Sequence, residues 1–265
     1  MLRLALVFTL LFLSACDARA PDPQWPVSAC RVETFEGSRF TVCDPGAGKF
    51  RLIAAGPTEM PQRSFAELMG TVPTDQVAFA MNAGMFDADG RPIGLAVVDG
   101  RLVHAINRRD GGGNFHLMPN GVFLIRRDGS AKVIPSKSFA ISPDIALATQ
   151  SGPMLVIDGQ LHPKFDADGE SRFIRNGVGI APDGTPLFVI SNEVVSFGKL
   201  ARFFRDHLET RDALYFDGSV SSLWDPANGR QDAGVPLGPM IVATKPAPVT
   251  RPGESAPDRA GRARS

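Results

Sequence analysis

Three apolar runs of this chain end alike, and that repeated ending narrows the folds open to it. Ala213-Leu214-Tyr215-Phe216 stops at Asp217-Gly218-Ser219. Val77-Ala78-Phe79-Ala80-Met81 stops at Asn82-Ala83-Gly84, and Ile145-Ala146-Leu147-Ala148-Thr149 stops at Gln150-Ser151-Gly152. Short apolar runs bounded by turn signals fit buried strands. One polar side chain followed by small residues lets a ligand approach the backbone closely. A lone Asp-Gly pair is equally a hairpin turn, so the argument rests on all three endings together.

Between these runs the chain reads as hairpins. Residues 94–103 and 152–162 each pass through an apolar run, an Asp-Gly pair (Asp99-Gly100; Asp158-Gly159) and an apolar return. Asn120-Gly121-Val122 and Asn176-Gly177-Val178 each begin a second hairpin, turning at Asp128-Gly129 and Asp183-Gly184. Two kinds of hairpin therefore alternate, either by duplication or by repeated use of one turn. Ser64-Phe65-Ala66-Glu67 is a capping box with Gly70 as a stop. Ser196 can cap a second helix with Leu200, Phe203, Phe204, His207 and Leu208 on one face. The expected fold is α+β: a mixed β-sheet core with several Asp-Gly hairpins and a few packed helices, in one domain. If the three buried strands lie side by side in parallel, Asn82, Gln150 and Asp217 emerge at one edge.

The first residues read as an export signal. Arg3 is followed by an apolar stretch to Leu13, and Leu13-Ser14-Ala15-Cys16 resembles the lipobox of bacterial lipoproteins. Residues 1–16 are thus expected to be a lipoprotein-type signal peptide, with Cys16 the lipidated residue. Residues 17–28, rich in proline, read as a tether, 29–243 as the folded domain, and 244–265 as a disordered tail. Asp17 resembles an inner-membrane retention signal, which suggests a periplasmic, membrane-anchored protein of the bacterial envelope. Export leaves Cys30 and Cys43 in an oxidising compartment. If Glu36-Gly37 is a two-residue turn, Cys30 faces Cys43 across a hairpin, and a disulfide is expected.

Charge and composition exclude several partners. The chain has 28 basic and 28 acidic residues, for a net charge of zero, with only one Tyr and two Trp. Nucleic acid is therefore not expected. There is no phosphate loop of the Gly-Lys-Ser/Thr type and no dinucleotide glycine fingerprint. His104, His116, His162 and His207 are scattered and match no zinc spacing, although His162, before Pro163, can line a site. Phe-Asp-Ala-Asp-Gly occurs at 86–90 and 165–169, too few acids for an EF-hand. These are turns or, alternatively, part of a divalent-ion site. No cofactor is expected, and a metal site is not assigned.

The remaining polar residues form an ordered series. Met81-Asn82-Ala83-Gly84-Met85-Phe86, Asn114-Phe115, Pro119-Asn120-Gly121-Val122-Phe123 and Gln150-Ser151-Gly152-Pro153-Met154-Leu155 come first. Arg175-Asn176-Gly177-Val178-Gly179 and Leu214-Tyr215-Phe216-Asp217-Gly218-Ser219 follow. In this order they resemble the motifs of the phosphodiester glycosidase family, across residues 30–243. That family includes the enzyme that uncovers mannose 6-phosphate by removing N-acetylglucosamine. Two motifs depart from that enzyme: Arg-Asn-Gly-Val-Gly replaces an Arg-Thr-Ala-Val-Gly-like run, and Asp-Gly-Ser-Val-Ser replaces Asp-Gly-Gly-Gly-Ser. The animal substrate is therefore not carried over.

The resemblance implies an α+β fold and hydrolysis of a sugar-1-phosphodiester, in an envelope glycan or glycoconjugate. Such a reaction needs a carboxylate beside an oxocarbenium-like centre and a cation for the leaving phosphate. Asp217 and Arg175 are the expected catalytic pair, with Arg175 gripping phosphate through two parallel bonds. Asn82, Gly84, Gln150, Ser151, Gly152, Asn176, Gly218, Ser219 and Ser221 are expected to bind substrate. Asp110 and Glu193 are candidates for a second carboxylate. Two other functions fit the same residues: a non-catalytic glycan- or phosphoglycan-binding envelope protein, and a phosphodiesterase that cleaves the P–O bond.

Overall fold

The computed structural model describes residues 28–56 and 58–246. The expected signal peptide, Cys16, Asp17, nearly all of the tether and most of the tail lie outside the described residues. In chain order the strands are β1 (Cys30–Phe35), β2 (Ser38–Cys43), β3 (Phe50–Ile53), β4 (Val77–Asn82), β5 (Ala96–Val98) and β6 (Arg101–His104). They continue as β7 (Gly121–Arg126), β8 (Ala131–Pro135), β9 (Ile145–Ser151), β10 (Met154–Ile157), β11 (Gln160–Leu161) and β12 (Asn176–Ile180). The last are β13 (Pro186–Ser191), β14 (Ala213–Tyr215), β15 (Leu223–Asp225), β16 (Arg230–Gln231) and β17 (Met240–Thr244). Two short α-helices accompany them, α1 (Phe65–Met69) and α2 (Phe197–Arg202).

Continuous apolar runs make the central strands, buried on both faces, and turn residues join them. Glu36 and Gly37 both take positive φ, 46° and 74°, and pair β1 with β2 so that Cys30 lies opposite Cys43. These two cysteines form a disulfide. Asp99-Gly100 and Asp158-Gly159 also take positive φ at both positions, and they join β5 to β6 and β10 to β11. Left-handed backbone at two successive residues matches the twist of a tight hairpin, and Asp-Gly tolerates it.

One strand order serves all three sheets. The orders are β6-β5-β9-β7-β8, β16-β15-β4-β17-β3 and β1-β2-β13-β12-β14-β10-β11. Each contains a hairpin, a central strand and a second pair of strands; the third sheet adds the β1–β2 hairpin beside β13. Two sheets use consecutive strands for both pairs, which accounts for the two kinds of hairpin alternating in the sequence. In the remaining sheet the second pair is β17 and β3, from opposite ends of the described chain, and β17 bonds to both β3 and β4.

The arrangement corrects two expectations. Every strand pairing among the described residues is antiparallel, so the core is not a mixed sheet. The strands β4, β9 and β14 are not parallel neighbours; each lies in a different sheet, at the centre of the shared five-strand order. Their ends meet nonetheless. Thr149 Oγ1 donates to the Ala83 carbonyl at 2.6 Å, Ser151 Oγ donates to the Phe216 carbonyl, and Asn176 Nδ2 donates to the Asn82 carbonyl at 2.9 Å.

Phenylalanines fill the space where the sheets face one another. The Phe188 ring lies 5.4 Å from Phe79, 5.5 Å from Phe123 and 6.3 Å from Phe216, and all four are fully buried. Each ring contributes about 2–3 kcal/mol by leaving water. Ser64 caps α1 by accepting the Glu67 N–H at 3.2 Å, while the Glu67 carboxylate reaches back to the Arg63 N–H. Ser196 caps α2 through the Lys199 N–H at 3.1 Å. Leu200, Phe203, Phe204 and Leu208 are buried as that face requires, but His207 is exposed and bonds Glu33 Oε2 at 2.6 Å. Contacts of the described residues extend to residues 28 and 245. Ser28 Oγ donates to Asp225, and Lys245 N–H donates to the Gln76 carbonyl.

Candidate active site

Asp217 stands two residues beyond β14, where that strand meets the end of β4. Its loop is held from beneath by two buried amides. Asn176 Nδ2 donates to both Asn82 O and Asn82 Oδ1 at 2.9 Å. Asn82 Oδ1 also accepts the Ser222 N–H at 2.9 Å, and Asn82 Nδ2 donates to the Asp217 carbonyl at 3.4 Å. Asn176 Oδ1 accepts the Asp217 N–H at 3.3 Å and Ser221 Oγ at 3.1 Å. Ser221 Oγ reaches the Asp217 carbonyl as well, at 2.8 Å. Asn82, Asn176 and Ser221 thus bind the backbone that carries Asp217.

The carboxylate itself has little help. Among the described residues it accepts one backbone N–H, from Ser219 at 3.0 Å, and pairs with no cation. Burial pushes its pKa up, and the Ser219 N–H opposes that shift only in part. Ser219 is itself exposed at the tip of the loop.

Arg175 is the unusual charge of the molecule. Only 1% of it is exposed, and no Asp or Glu pairs with it among the described residues. Nε donates to the Val195 carbonyl at 2.9 Å, Nη2 to the Ser171 carbonyl and hydroxyl at 2.9 and 3.1 Å, and Nη1 to the Tyr215 hydroxyl at 3.3 Å. The guanidinium lies 3.6 Å from the centre of the Phe197 ring. Phe197 stacks on Phe165, and Phe165 on His162, giving a continuous column of flat groups. Burial lowers the Arg175 pKa, and Tyr215 opposes it. The two-bond grip on phosphate expected of Arg175 is closed in this arrangement, because four of its five N–H groups are in use.

Tyr215 links the two expected catalytic residues. Its hydroxyl accepts from Arg175 at 3.3 Å, and burial pushes its pKa up to about 12. Asp217 adds to that rise, which places its charge near the phenol. The Arg175 bond leaves the hydroxyl's own proton to give. Gly218 packs directly against this hydroxyl, leaving no room for a Cβ.

The other expected site residues serve the framework. Gln150 is 1% exposed; its Oε1 accepts the N–H groups of Leu95 and Asn107, and its Nε2 donates to the Asn107 carbonyl. Ser151 ties to Phe216, Gly84 packs on the Thr149 hydroxyl, and Gly152 packs on Asn120. His162 is buried, accepts the Lys164 N–H at Nδ1 and meets the Met118 carbonyl through Nε2. Burial lowers its pKa. Glu193 bonds the Arg39 N–H at 2.6 Å and its Nε at 2.7 Å, which lowers its pKa, and Asp110 is exposed on a glycine-rich loop. Sequence reasoning missed Ser171, Phe197 and the linking role of Tyr215. Only Tyr215, lying inside the last motif, carried a signal. Among the described residues no group of three or more His, Cys, Asp or Glu is placed to hold a metal ion.

A cavity of about 810 Å³ lies elsewhere. Its walls include Lys49, Arg126, Asp128, Asp183 and Leu147, at the hairpin tips remote from the ends of β9 and β14. A smaller one, about 520 Å³, touches Ile174, Ser191 and Ser221, beside the Asp217 loop.

The sequence profile of the phosphodiester glycosidase family matches residues 75–244, the span from just before β4 to the end of β17. The chain belongs to the phosphodiester glycosidase family. All of the expected site residues fall inside that match. An uncharacterized protein of Escherichia coli K12, YigE, is 36% identical over 149 residues, 56% of this chain and 58% of that protein. The chain therefore spans well under two thirds of that relative. Solved structures agree in fold. The catalytic domain of zebrafish N-acetylglucosamine-1-phosphodiester alpha-N-acetylglucosaminidase, auto-inhibited by its pro-peptide, superposes with a TM-score of 0.55 at 16% identity, covering 82% of each chain. A hypothetical protein from Synechocystis gives 0.52 at 14% identity, over 82% of this chain and 61% of that one. A putative exported protein from Burkholderia pseudomallei gives 0.51 at 14% identity, over 78% and 73%.

Proposed function

We propose that this protein is an exported hydrolase that cleaves the bond between the anomeric carbon and the phosphate oxygen of a sugar-1-phosphodiester. Asp217 supplies the carboxylate, as nucleophile or as base for water. The observation that carries the reading is the buried guanidinium of Arg175, left without a carboxylate and bonded to the Tyr215 hydroxyl against which Asp217's loop packs. A buried charge with no counter-charge is costly unless a ligand supplies one. A phosphodiester brings a negative charge, and that charge grows on the leaving phosphate as the bond breaks. Arg175 acts on it through the Tyr215 hydroxyl rather than by direct grip.

Family membership supports the reaction class. The Cys30–Cys43 disulfide supports an oxidising compartment. The lipobox-like sequence ending in Cys16 supports attachment to the envelope membrane, with an envelope glycan or glycoconjugate as substrate.

The test is a screen of sugar-1-phosphodiesters and nucleotide sugars in oxygen-labelled water. Label in the released sugar, lost with Asp217→Asn, is the expected result. Label in phosphate would make the protein a phosphodiesterase instead. Saturable binding with no turnover of any compound would make it a glycan-binding protein.

A further inference from the structure

The cavity beside the Asp217 loop has polar walls that the reaction above leaves unused. It opens where the start of β12 and the end of β13 face the β15–β16 hairpin. Ile174, Ser191, Asn192, Ser221, Arg230 and Asp232 line it, and its volume, about 520 Å³, falls within the roughly 300–1,000 Å³ of small-molecule sites. It borders both halves of the candidate centre. Ser221 holds the Asp217 carbonyl, and Ser191 Oγ accepts the Arg175 backbone N–H at 2.9 Å.

The charges in this cavity cancel each other. Arg230 forks onto Asp232, with Nη2 at 2.8 Å and Nε at 3.1 Å. Its Nη1 is fixed by Asn192 Oδ1 at 3.0 Å and Thr41 Oγ1 at 3.2 Å. Asp232 also accepts the Leu223 N–H at 2.9 Å, and Thr41 donates to Asn192 Oδ1 at 3.0 Å. The network is rigid and its cation is already neutralised, so it offers poor attraction to a phosphate. It offers instead a mixed set of donors and acceptors. Asn192 Oδ1 is occupied, while its amide NH₂ has no partner among the described residues and remains a donor. Ser221 Oγ and the Asp232 carboxylate retain lone pairs. Each sugar hydroxyl both gives and takes a hydrogen bond and so uses such a set fully. Ile174 adds an apolar surface for ring C–H groups.

We infer that this cavity is the subsite for the uncharged sugar ring, with Asn192 and Asp232 reading its hydroxyls while the phosphate lies toward Tyr215 and Arg175. This assignment rests on the hydrolase reading for its orientation but not for its chemistry. Asn192 and Asp232 are specificity-determining residues, and neither is required to bear charge in the transition state.

The experiment measures binding of methyl α-glycosides of hexoses and N-acetylhexosamines to the full chain by ligand-observed NMR. Inorganic phosphate is the comparison probe. We expect at least one glycoside to bind saturably, Asn192→Ala to weaken it about ten-fold, the cost of one or two hydrogen bonds, and Asp217→Asn to leave it in place. With a hydrolysed substrate, Asn192→Ala should raise KM with kcat little changed. Asn192→Ala leaves the Arg230–Asp232 pair intact, so folding is preserved; Asp232→Asn is the second variant. Absence of glycoside binding overturns the inference. So does binding that both variants leave unchanged, or phosphate binding that Asn192→Ala abolishes while glycosides do not bind. Glycoside binding with the expected dependence, in a protein that turns over no phosphodiester, upholds the subsite and removes the hydrolase reading.

Discussion

Asn176 donates through one nitrogen to both oxygens of Asn82, at 2.9 Å each, joining the start of β12 to the end of β4 across two sheets. Every other bond of the two amides goes to the 217–222 loop. The pair therefore makes the position of the carboxylate depend on the packing of two sheets.

Asn176→Ala should strip the loop of its support. Buried partners left unpaired cost about 1–3 kcal/mol, read as a lower melting temperature. Turnover should fall further than stability alone accounts for, because Asp217 loses its backbone anchor. Activity normalised to folded protein makes that distinction, and unchanged specific activity would remove the positioning role.

Asp217→Asn should lower kcat on the order of a hundredfold or more, since a missing electrostatic partner in a partly dry site costs about 3 kcal/mol. It should also raise stability at neutral pH. Burial raises the folded-state pKa, so the folded protein binds this proton more tightly than the unfolded chain. The group's stabilising effect is fully present below the unfolded pKa and is lost as pH rises through the folded one. An amide escapes that loss. The acid limb of the wild-type rate profile should accordingly lie above the ordinary carboxylate range.

Arg175→Lys should fold poorly or turn over slowly. One ammonium cannot serve Val195, Ser171 and Tyr215 together and keep the flat contact with Phe197. Substrates with more acidic leaving groups should lose less from this change than from Asp217→Asn. Equal losses across a leaving-group series would separate Arg175 from the departing phosphate.

Gly218→Ala should displace the Tyr215 hydroxyl, against which the glycine packs. Combining it with Tyr215→Phe makes room for the new methyl group. If the clash is the cause, the double variant regains folding stability relative to Gly218→Ala, without regaining full turnover.

Removing the disulfide by Cys30→Ala with Cys43→Ala should cost about 3 kcal/mol or less and leave kcat unchanged. The β1–β2 hairpin is an edge addition to its sheet. A large loss of kcat at full folding would place that hairpin in the site.

Local chemistry was legible in the sequence. The Glu36-Gly37 turn set the cysteine register, and Ser64 and Ser196 marked both helix starts, because each depends on residues a few positions apart. The three polar strand ends were legible as endings but not as neighbours. Their meeting depends on three sheets sharing one order, and the sheet that contains β4 pairs β3 with β17, strands nearly 200 residues apart. Gln150 and Arg175 show the same limit: a polar residue at a strand end reads as available until the backbone groups that occupy it are seen. Leu95 and Asn107 lie 55 and 43 residues from Gln150. The aromatic face on Arg175 comes from α2, whose periodicity marked a buried side but not what that side would cover.

β17 lies between β3 and β4, and among the described residues it is the last strand in chain order. Until Met240–Thr244 has left the ribosome, β4 lacks the neighbour that pairs with Asn82, and the amide clamp beneath Asp217 has no fixed floor. The carboxylate is thus set only once the chain has been made through β17. A chain cut short before β17 would leave Asp217 on an unsupported loop, however well its other two sheets had folded.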